Sequence, residues 1–121
     1  MAQAVTYMLL SGSTGGRQIK VVATGTPGTT IHATGTSSTV IDEIELYANN
    51  TSTAAVKLTI EWGDVTSPDD LLEVSIPAES GDVLVIAGKP LTGTGAAART
   101  VRAFAASANV INMSGSVLRA T

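Results

Sequence analysis

Strict alternation of apolar and polar side chains is the feature that most constrains the fold of this chain. Between Val56 and Trp62 every even-numbered residue is apolar and every odd-numbered residue is polar. Successive side chains of a β-strand point to opposite faces, so a strand gathers this apolar set on one face, whereas a helix would scatter it. The segment therefore predicts a half-buried strand.

The same period recurs along the chain. Ile44, Leu46 and Ala48 share one face of a second predicted strand, while Glu43 and Glu45 lie on the other. The run 83–86 is continuously apolar, which is typical of a strand covered on both faces. Segment 100–106 is predicted as a strand in preference to an alanine-rich helix. Eight or nine strands are expected, at residues 6–10, 18–24, 29–34, 41–48, 56–62, 72–76, 83–86, 100–106 and 110–119.

Turn residues separate these strands at a spacing of roughly 8–12 residues, which favours an all-β fold. Residues 49–53 predict a hairpin that joins the strands before and after them, and residues 87–90 predict a loop. We expect an antiparallel β-sandwich, of which the jelly roll is one form. A length of 121 residues fits one domain, 1–121.

The N-terminal third differs from the rest in being rich in glycine and threonine. Its stretches 11–16, 24–30 and 34–39 are small and uncharged. One interpretation is a set of long loops that join edge strands; the other is an arm that orders against a partner. We therefore treat residues 1–39 as an arm and edge-strand region of the single domain.

Charge and composition argue against several classes of protein. The chain has no cysteine, so it has no disulfide, thiolate metal site or cysteine nucleophile. Its net charge of −3 and its dispersed basic residues argue against a nucleic-acid partner. No apolar run is long enough to span a bilayer and the start lacks a basic leader, so we expect no membrane partner and a chain made and kept in a cytoplasm.

Catalytic patterns are also missing from the sequence, and we expect neither an enzyme nor a cofactor. The single histidine, His32, has no nucleophile motif beside it and is interpreted as a structural or surface residue. Asp64, Asp69 and Asp70 share one loop without the order of a calcium-binding EF-hand. Turn capping is the simpler interpretation of these acids, and a weakly held calcium ion is the alternative.

Several whole segments resemble small virion proteins of tailed bacteriophages. They are residues 40–50, 55–63, 70–78, 101–106 and 110–115. The resemblance spans roughly residues 17–119 and implies a structural virion protein, most like a capsid decoration (cement) protein. It also implies binding to the major capsid protein, self-association as a trimer, and a place on the capsid surface after assembly in the host cytoplasm.

We expect the capsid or subunit contact to lie in the N-terminal part of the chain. The candidate contact residues are Tyr7, Leu9, Arg17, Thr26, Thr30 and His32. Deleting residues 1–16 should then abolish binding and leave the sandwich folded. Two alternatives stay open: a tail or head–tail connector component, and a carbohydrate-binding β-sandwich with Trp62 and Tyr47 as its aromatic platform.

Overall fold

The computed structural model describes residues 4–121, and these residues form nine strands and no helix. Residues 1–3 of the predicted arm lie outside the described part. None of the described residues belongs to a helix able to cross a membrane. The strands are β1 (Val5–Met8), β2 (Ile19–Lys20), β3 (Thr29–Ala33), β4 (Ile41–Asn50), β5 (Val56–Gly63), β6 (Leu71–Ile76), β7 (Val83–Leu91), β8 (Thr100–Ala105) and β9 (Ile111–Ala120).

The strands form two antiparallel sheets that pack face to face, which confirms the predicted β-sandwich. One sheet has the order β1-β9-β4-β7, with β2 also paired to β9, and the other has the order β3-β8-β5-β6. The pairing is nested: β1 and β2 pair with β9, β3 with β8, β4 with β7 and β5 with β6. A long antiparallel ribbon wound in this way is the jelly-roll topology.

The core lies between the sheets and uses the alternate residues that the sequence pattern selects. Ile44 and Leu46 of β4 are fully buried, and they face Leu58 and Ile60 of the other sheet. Each such side chain stabilises the fold by about 1.5–3 kcal/mol through removal of apolar area from water. Strands β8 and β9 complete the core with Val101, Ala103, Ala105, Ile111, Met113 and Val117.

The prediction of a hairpin at residues 49–53 is wrong. Strand β4 ends at Asn50 and the chain then crosses to the other sheet, so β4 and β5 do not pair. The buried Asn50 side chain organises this crossing: its Nδ2 donates to the carbonyl oxygens of Ala54 (2.8 Å) and Ile76 (3.0 Å). Its Oδ1 accepts the backbone N–H of Ser52 at 2.9 Å. Turn residues indicate where a strand ends, and long-range packing decides what the next strand pairs with.

Strand β7 also differs from expectation. It is an edge strand with Leu84 49% exposed, so it is not covered on both faces, and it continues through the predicted loop to Leu91. The β4–β7 register skips Gly88, whose φ is +78°, and this glycine forms a bulge. Pro90 is tolerated in the strand because an edge strand has one side without a hydrogen-bonded neighbour.

The glycine- and threonine-rich N-terminal part lies against the sandwich as short edge strands joined by loops. β1 and β2 pair with β9 at the edge of one sheet, and β3 pairs with β8 at the edge of the other. Its described residues therefore bridge the two sheets on one side of the molecule.

Candidate functional site

Exposed apolar side chains cluster on the outer face of the five-stranded sheet, at its β1 edge. Val5 is 64% exposed and Tyr7 is 71% exposed. Residues opposed on neighbouring antiparallel strands share a face, and Tyr7 opposes Leu118 of β9. Val5 opposes Ala120, which in turn opposes Ile41 of β4. We call Val5, Tyr7, Ile41 and Leu118 the β1 face.

The β1 edge lacks the features that usually protect an exposed strand. Edge strands of soluble proteins commonly carry charges, prolines or bulges that prevent pairing with another chain. Strand β7, at the far edge of the same sheet, has all three in Lys89, Pro90 and Gly88. Strand β1 has none of them, and Leu9 just beyond it is 51% exposed. Exposed apolar side chains beside an open strand edge are typical of an interaction surface.

The predicted contact residues do not share one surface. Tyr7 belongs to the β1 face, Leu9 follows β1, and Arg17 is exposed in the β1–β2 loop, which comprises residues 9–18. Thr30 opposes Arg102 of β8 on the outer face of the four-stranded sheet and accepts a 2.8 Å hydrogen bond from its Nη1. The outer faces of a sandwich point in opposite directions, so one flat partner cannot contact both Tyr7 and Thr30.

His32 lies inside the protein with 1% of its side chain exposed, which leaves it no surface for the predicted contact. Its Nε2 is 2.8 Å from Oδ2 of Asp42 on β4, and its Nδ1 is 3.0 Å from the backbone nitrogen of Ser11. A backbone N–H only donates, so Nδ1 carries no proton and Nε2–H donates to the carboxylate. The neutral ring thus ties β3 to the opposite sheet and to the β1–β2 loop.

Asp42 is held from its other side by Arg119 of β9. The Nε of Arg119 donates to Oδ1 at 2.7 Å and its Nη2 donates to Oδ2 at 2.9 Å, a bidentate pair. Burial raises the pKa of Asp42, but hydrogen bonds from Arg119 and His32 outweigh burial and hold that pKa below its usual range. The bond to Asp42 raises the pKa of Arg119. We call Ser11, His32, Asp42 and Arg119 the His32 cluster.

Sequence reasoning missed Asp42 and Arg119, although the strand pattern contains a signal for both. Asp42 has the same parity as Ile44 and Leu46, and Arg119 has the same parity as Val117. A charged residue on the apolar face of a strand is rarely buried unless it is paired. The two misplaced charges of opposite sign therefore indicate a buried ion pair.

A second buried carboxylate, Glu61, holds the loop between β2 and β3. Glu61 is 0% exposed because this loop covers it on the outer face of the four-stranded sheet. Its Oε1 accepts the backbone N–H of Gly28 at 2.7 Å, and its Oε2 accepts the hydroxyl of Thr26. Thr26 is exposed as a residue, but its hydroxyl is engaged by Glu61. A Cβ on Gly28 would lie 2.5 Å from the carbonyl oxygen of Ala103, so this close approach requires glycine.

A groove of about 530 Å³ opens between the edge strands β6 and β7. Most of its lining is aliphatic, and Glu73 and Lys89 add one charge of each sign. The aliphatic lining residues are Ile60, Leu72, Val74, Val85 and Ile86.

Trp62 and Tyr47 do not form a common aromatic platform. Trp62 is half-buried against the core, and Nζ of Lys89 lies 5.3 Å from its ring centroid. Tyr47 belongs to the other sheet, and its hydroxyl donates to Glu45 at 3.0 Å. This hydrogen bond raises the pKa of Tyr47. The carbohydrate-binding alternative therefore has no paired aromatic surface at these two residues.

The acidic loop between β5 and β6 makes turn contacts. Asp64 Oδ1 accepts the N–H of Val65 at 2.8 Å, and Asp70 Oδ2 accepts the N–H of Thr66 at 3.1 Å. Asp69 is exposed. Within residues 4–121 no three His, Asp or Glu side chains come together as a metal-binding group.

Comparison with protein-family models, with curated proteins and with solved structures finds no match to this chain.

Proposed function

We propose that this protein is a virion structural protein that decorates the outside of a bacteriophage head and stabilises contacts between major capsid subunits. The β1 face is the observation that carries the proposal, because it offers exposed apolar side chains on an unprotected strand edge. The jelly roll supports it as a fold that viral capsid proteins commonly use. The segments that resemble small phage virion proteins supply the assignment to a phage particle.

A decoration protein acts through mass action. A protein that binds neighbouring subunits of an assembled shell, and not the separate subunits, shifts the equilibrium towards the shell. The β1 face has four large side chains, fewer than the roughly 20–30 residues a side of a stable binary complex. Each copy would therefore gain affinity from several contacts at once, on more than one capsid subunit or on further copies of itself.

The copy number in purified particles tests this proposal. We would quantify the chain against the major capsid protein by mass spectrometry. A ratio near one, or another large simple fraction, supports decoration of the shell. A handful of copies per particle moves the assignment to a tail or head–tail connector component, and absence from particles overturns the virion proposal.

A further inference from the structure

We infer that His32 is a proton-controlled latch on the β1–β2 loop. When the ring takes up a second proton, the backbone of Ser11 is released and the loop loosens, while the two sheets remain joined. The hydrogen bonds of the buried ring carry this role.

The contact between Ser11 and the ring exists only when the ring is neutral. The backbone N–H of Ser11 is the donor and Nδ1 of His32 is the acceptor, 3.0 Å apart. A second proton on the ring would occupy Nδ1 and place two N–H groups against each other. Two neighbouring hydrogen bonds would still hold the loop after the bond from Ser11 N–H to the ring is lost. They run from Ala33 N–H to Ser11 Oγ (2.7 Å) and from Gly12 N–H to Ile31 O (3.0 Å).

The opposite side of the ring behaves differently. Nε2–H donates to Asp42 in both protonation states, and a charged ring adds attraction to the carboxylate. The hydrogen bonds that outweigh burial keep the pKa of Asp42 below its ordinary value of 3.8, so the carboxylate stays charged above that pH and Arg119 stays paired with it. Protonation thus breaks the contact to the loop and keeps the contact between the sheets.

Other charged groups near the latch are engaged elsewhere. Among the described residues, Asp42 is the ionisable group that contacts the ring. Nη2 of Arg119 donates to the same Oδ2 of Asp42 as the ring does, so Arg119 is a positive charge that a charged ring would have beside it. On the neighbouring strand, Arg102 donates to oxygens of the β2–β3 loop and of β3. Arg99, just before β8, donates to the carbonyl oxygens that follow β7. Arg17 of the β1–β2 loop is exposed.

The latch has a consequence for the β1 face because the loop follows β1 directly. A loosened loop would remove one of the contacts that anchor the chain just after β1, while the pairing of β1 with β9 and the burial of Leu10 remain. The effect of acid on particle binding rests on the proposed function, whereas the latch itself rests on the ring geometry. A measurement on the free protein therefore tests the latch independently of any particle.

The intact protein is suited to this measurement because it has one histidine, so every histidine ring signal in an NMR spectrum reports His32. We would titrate the ring and measure amide-exchange protection, the exchange rate relative to an unfolded chain at the same pH. As the ring gains its proton, protection at Ser11 should fall about tenfold, the equivalent of one hydrogen bond. Amides in the β4–β9 ladder should change less than about twofold.

Any of three results would overturn the proposed latch. The first is that the ring gains its proton while the Ser11 amide stays protected. The second is that the ring stays neutral until the protein unfolds, and the third is that all amides lose protection together. Ser11→Ala keeps the N–H and removes the hydroxyl that accepts from Ala33, so protection at residue 11 should start lower and its pH response should persist. His32→Asn offers an amide oxygen and no titrating ring, so its Ser11 protection should not depend on pH. If His32→Asn does not fold, the titration of the wild-type protein still shows whether the Ser11 amide is released when the ring is protonated.

Discussion

Two regions of this molecule are held together by different kinds of interaction. In residues 41–121, six strands place alternate apolar side chains into one core between the sheets. In residues 4–40, three short strands lie at the sheet edges, and buried polar groups of the His32 cluster and Glu61 hold the loops between them. This N-terminal region adds Leu10, Ile19, Val21 and Ile31 to the core.

The two kinds of interaction should respond differently to substitution and to pH. Burial of apolar area is non-directional and is shared by the whole core, so its loss destabilises the entire fold. Hydrogen bonds to a buried carboxylate or imidazole are directional and depend on protonation, so the effect of losing them varies with pH. Their loss acts locally where they hold a loop, as at Glu61, and on the whole fold where they join the two sheets, as at Asp42. Substitutions in the core, at Asp42 and at Glu61 can therefore separate global unfolding from local opening.

The largest effect is expected in the core. Leu46→Ala should lower the free energy of unfolding by about 3–4 kcal/mol, through lost burial and the cavity that remains. Both regions should unfold together in urea. Leu84→Ala, at a 49% exposed position of the same sheet, is the matched control and should change stability by less than about 0.5 kcal/mol. Equal effects from the two variants would contradict the assignment of the core.

A smaller effect is expected at the ion pair. Asp42→Asn removes the charge that Arg119 and His32 bind, and it should cost about 2 kcal/mol of stability at neutral pH. Asp69→Asn, at an exposed position, should be nearly neutral. Urea denaturation of both variants measures the difference, and a neutral Asp42→Asn would show that the pair contributes nothing net.

The same variant should also change the response to acid. The pKa of Asp42 is lower in the folded protein than its ordinary value of 3.8, so this group stabilises the fold above that value. The stabilisation is lost as the pH falls through the folded pKa. Unfolding free energy of the wild-type protein should therefore fall more steeply below about pH 4 than that of Asp42→Asn. If the unfolding free energies of the two proteins fell equally steeply with decreasing pH, Asp42 would not be the cause of the loss of stability in acid.

A local effect is expected at Glu61. Glu61→Gln keeps an oxygen for the N–H of Gly28 but weakens both charge-assisted bonds, so the β2–β3 loop should open more easily by about 1 kcal/mol. Hydrogen exchange at Gly28 should rise while exchange in the β4–β9 ladder stays unchanged. Glu43→Gln, at an exposed position, should leave both unchanged. A uniform rise in exchange would mean that Glu61 supports the whole sandwich.

The same division explains how much of the structure is predictable from sequence. Alternation located most strands of residues 41–121, because a period of two reports directly on a half-buried strand. The strand at residues 83–86 was located from its continuous apolar run, which gave the wrong exposure and the wrong end for it. It did not reveal the crossing at Asn50 or the bulge at Gly88, since both are set by partners distant in sequence. Glu61 has the parity of an outward residue, and a loop more than thirty positions away buries it. The contacts of Glu61 therefore leave no periodic trace, unlike those of Asp42 and Arg119, whose charges fall on the apolar faces of their strands.

The truncation that the sequence suggests is a poor test of the contact surface. Deleting residues 1–16 would also remove Leu10 from the core and Ser11 from the ring of His32. Loss of binding would then be indistinguishable from loosening of the fold. Substitutions on the β1 face avoid this, because exposed side chains contribute little to stability.

Binding of a β1-face variant to particles that lack this protein shows whether the β1 face carries the capsid contact. Tyr7→Ser combined with Leu118→Ser should change the free energy of unfolding by less than about 1 kcal/mol. The same variant should weaken co-sedimentation with particles at least tenfold through lost apolar contact. The matched control, Leu84→Ser with Val65→Ser, alters exposed apolar side chains elsewhere and should bind like the wild-type protein. If the β1-face variant bound particles as well as the wild-type protein does, the β1 face would not be the capsid-binding surface.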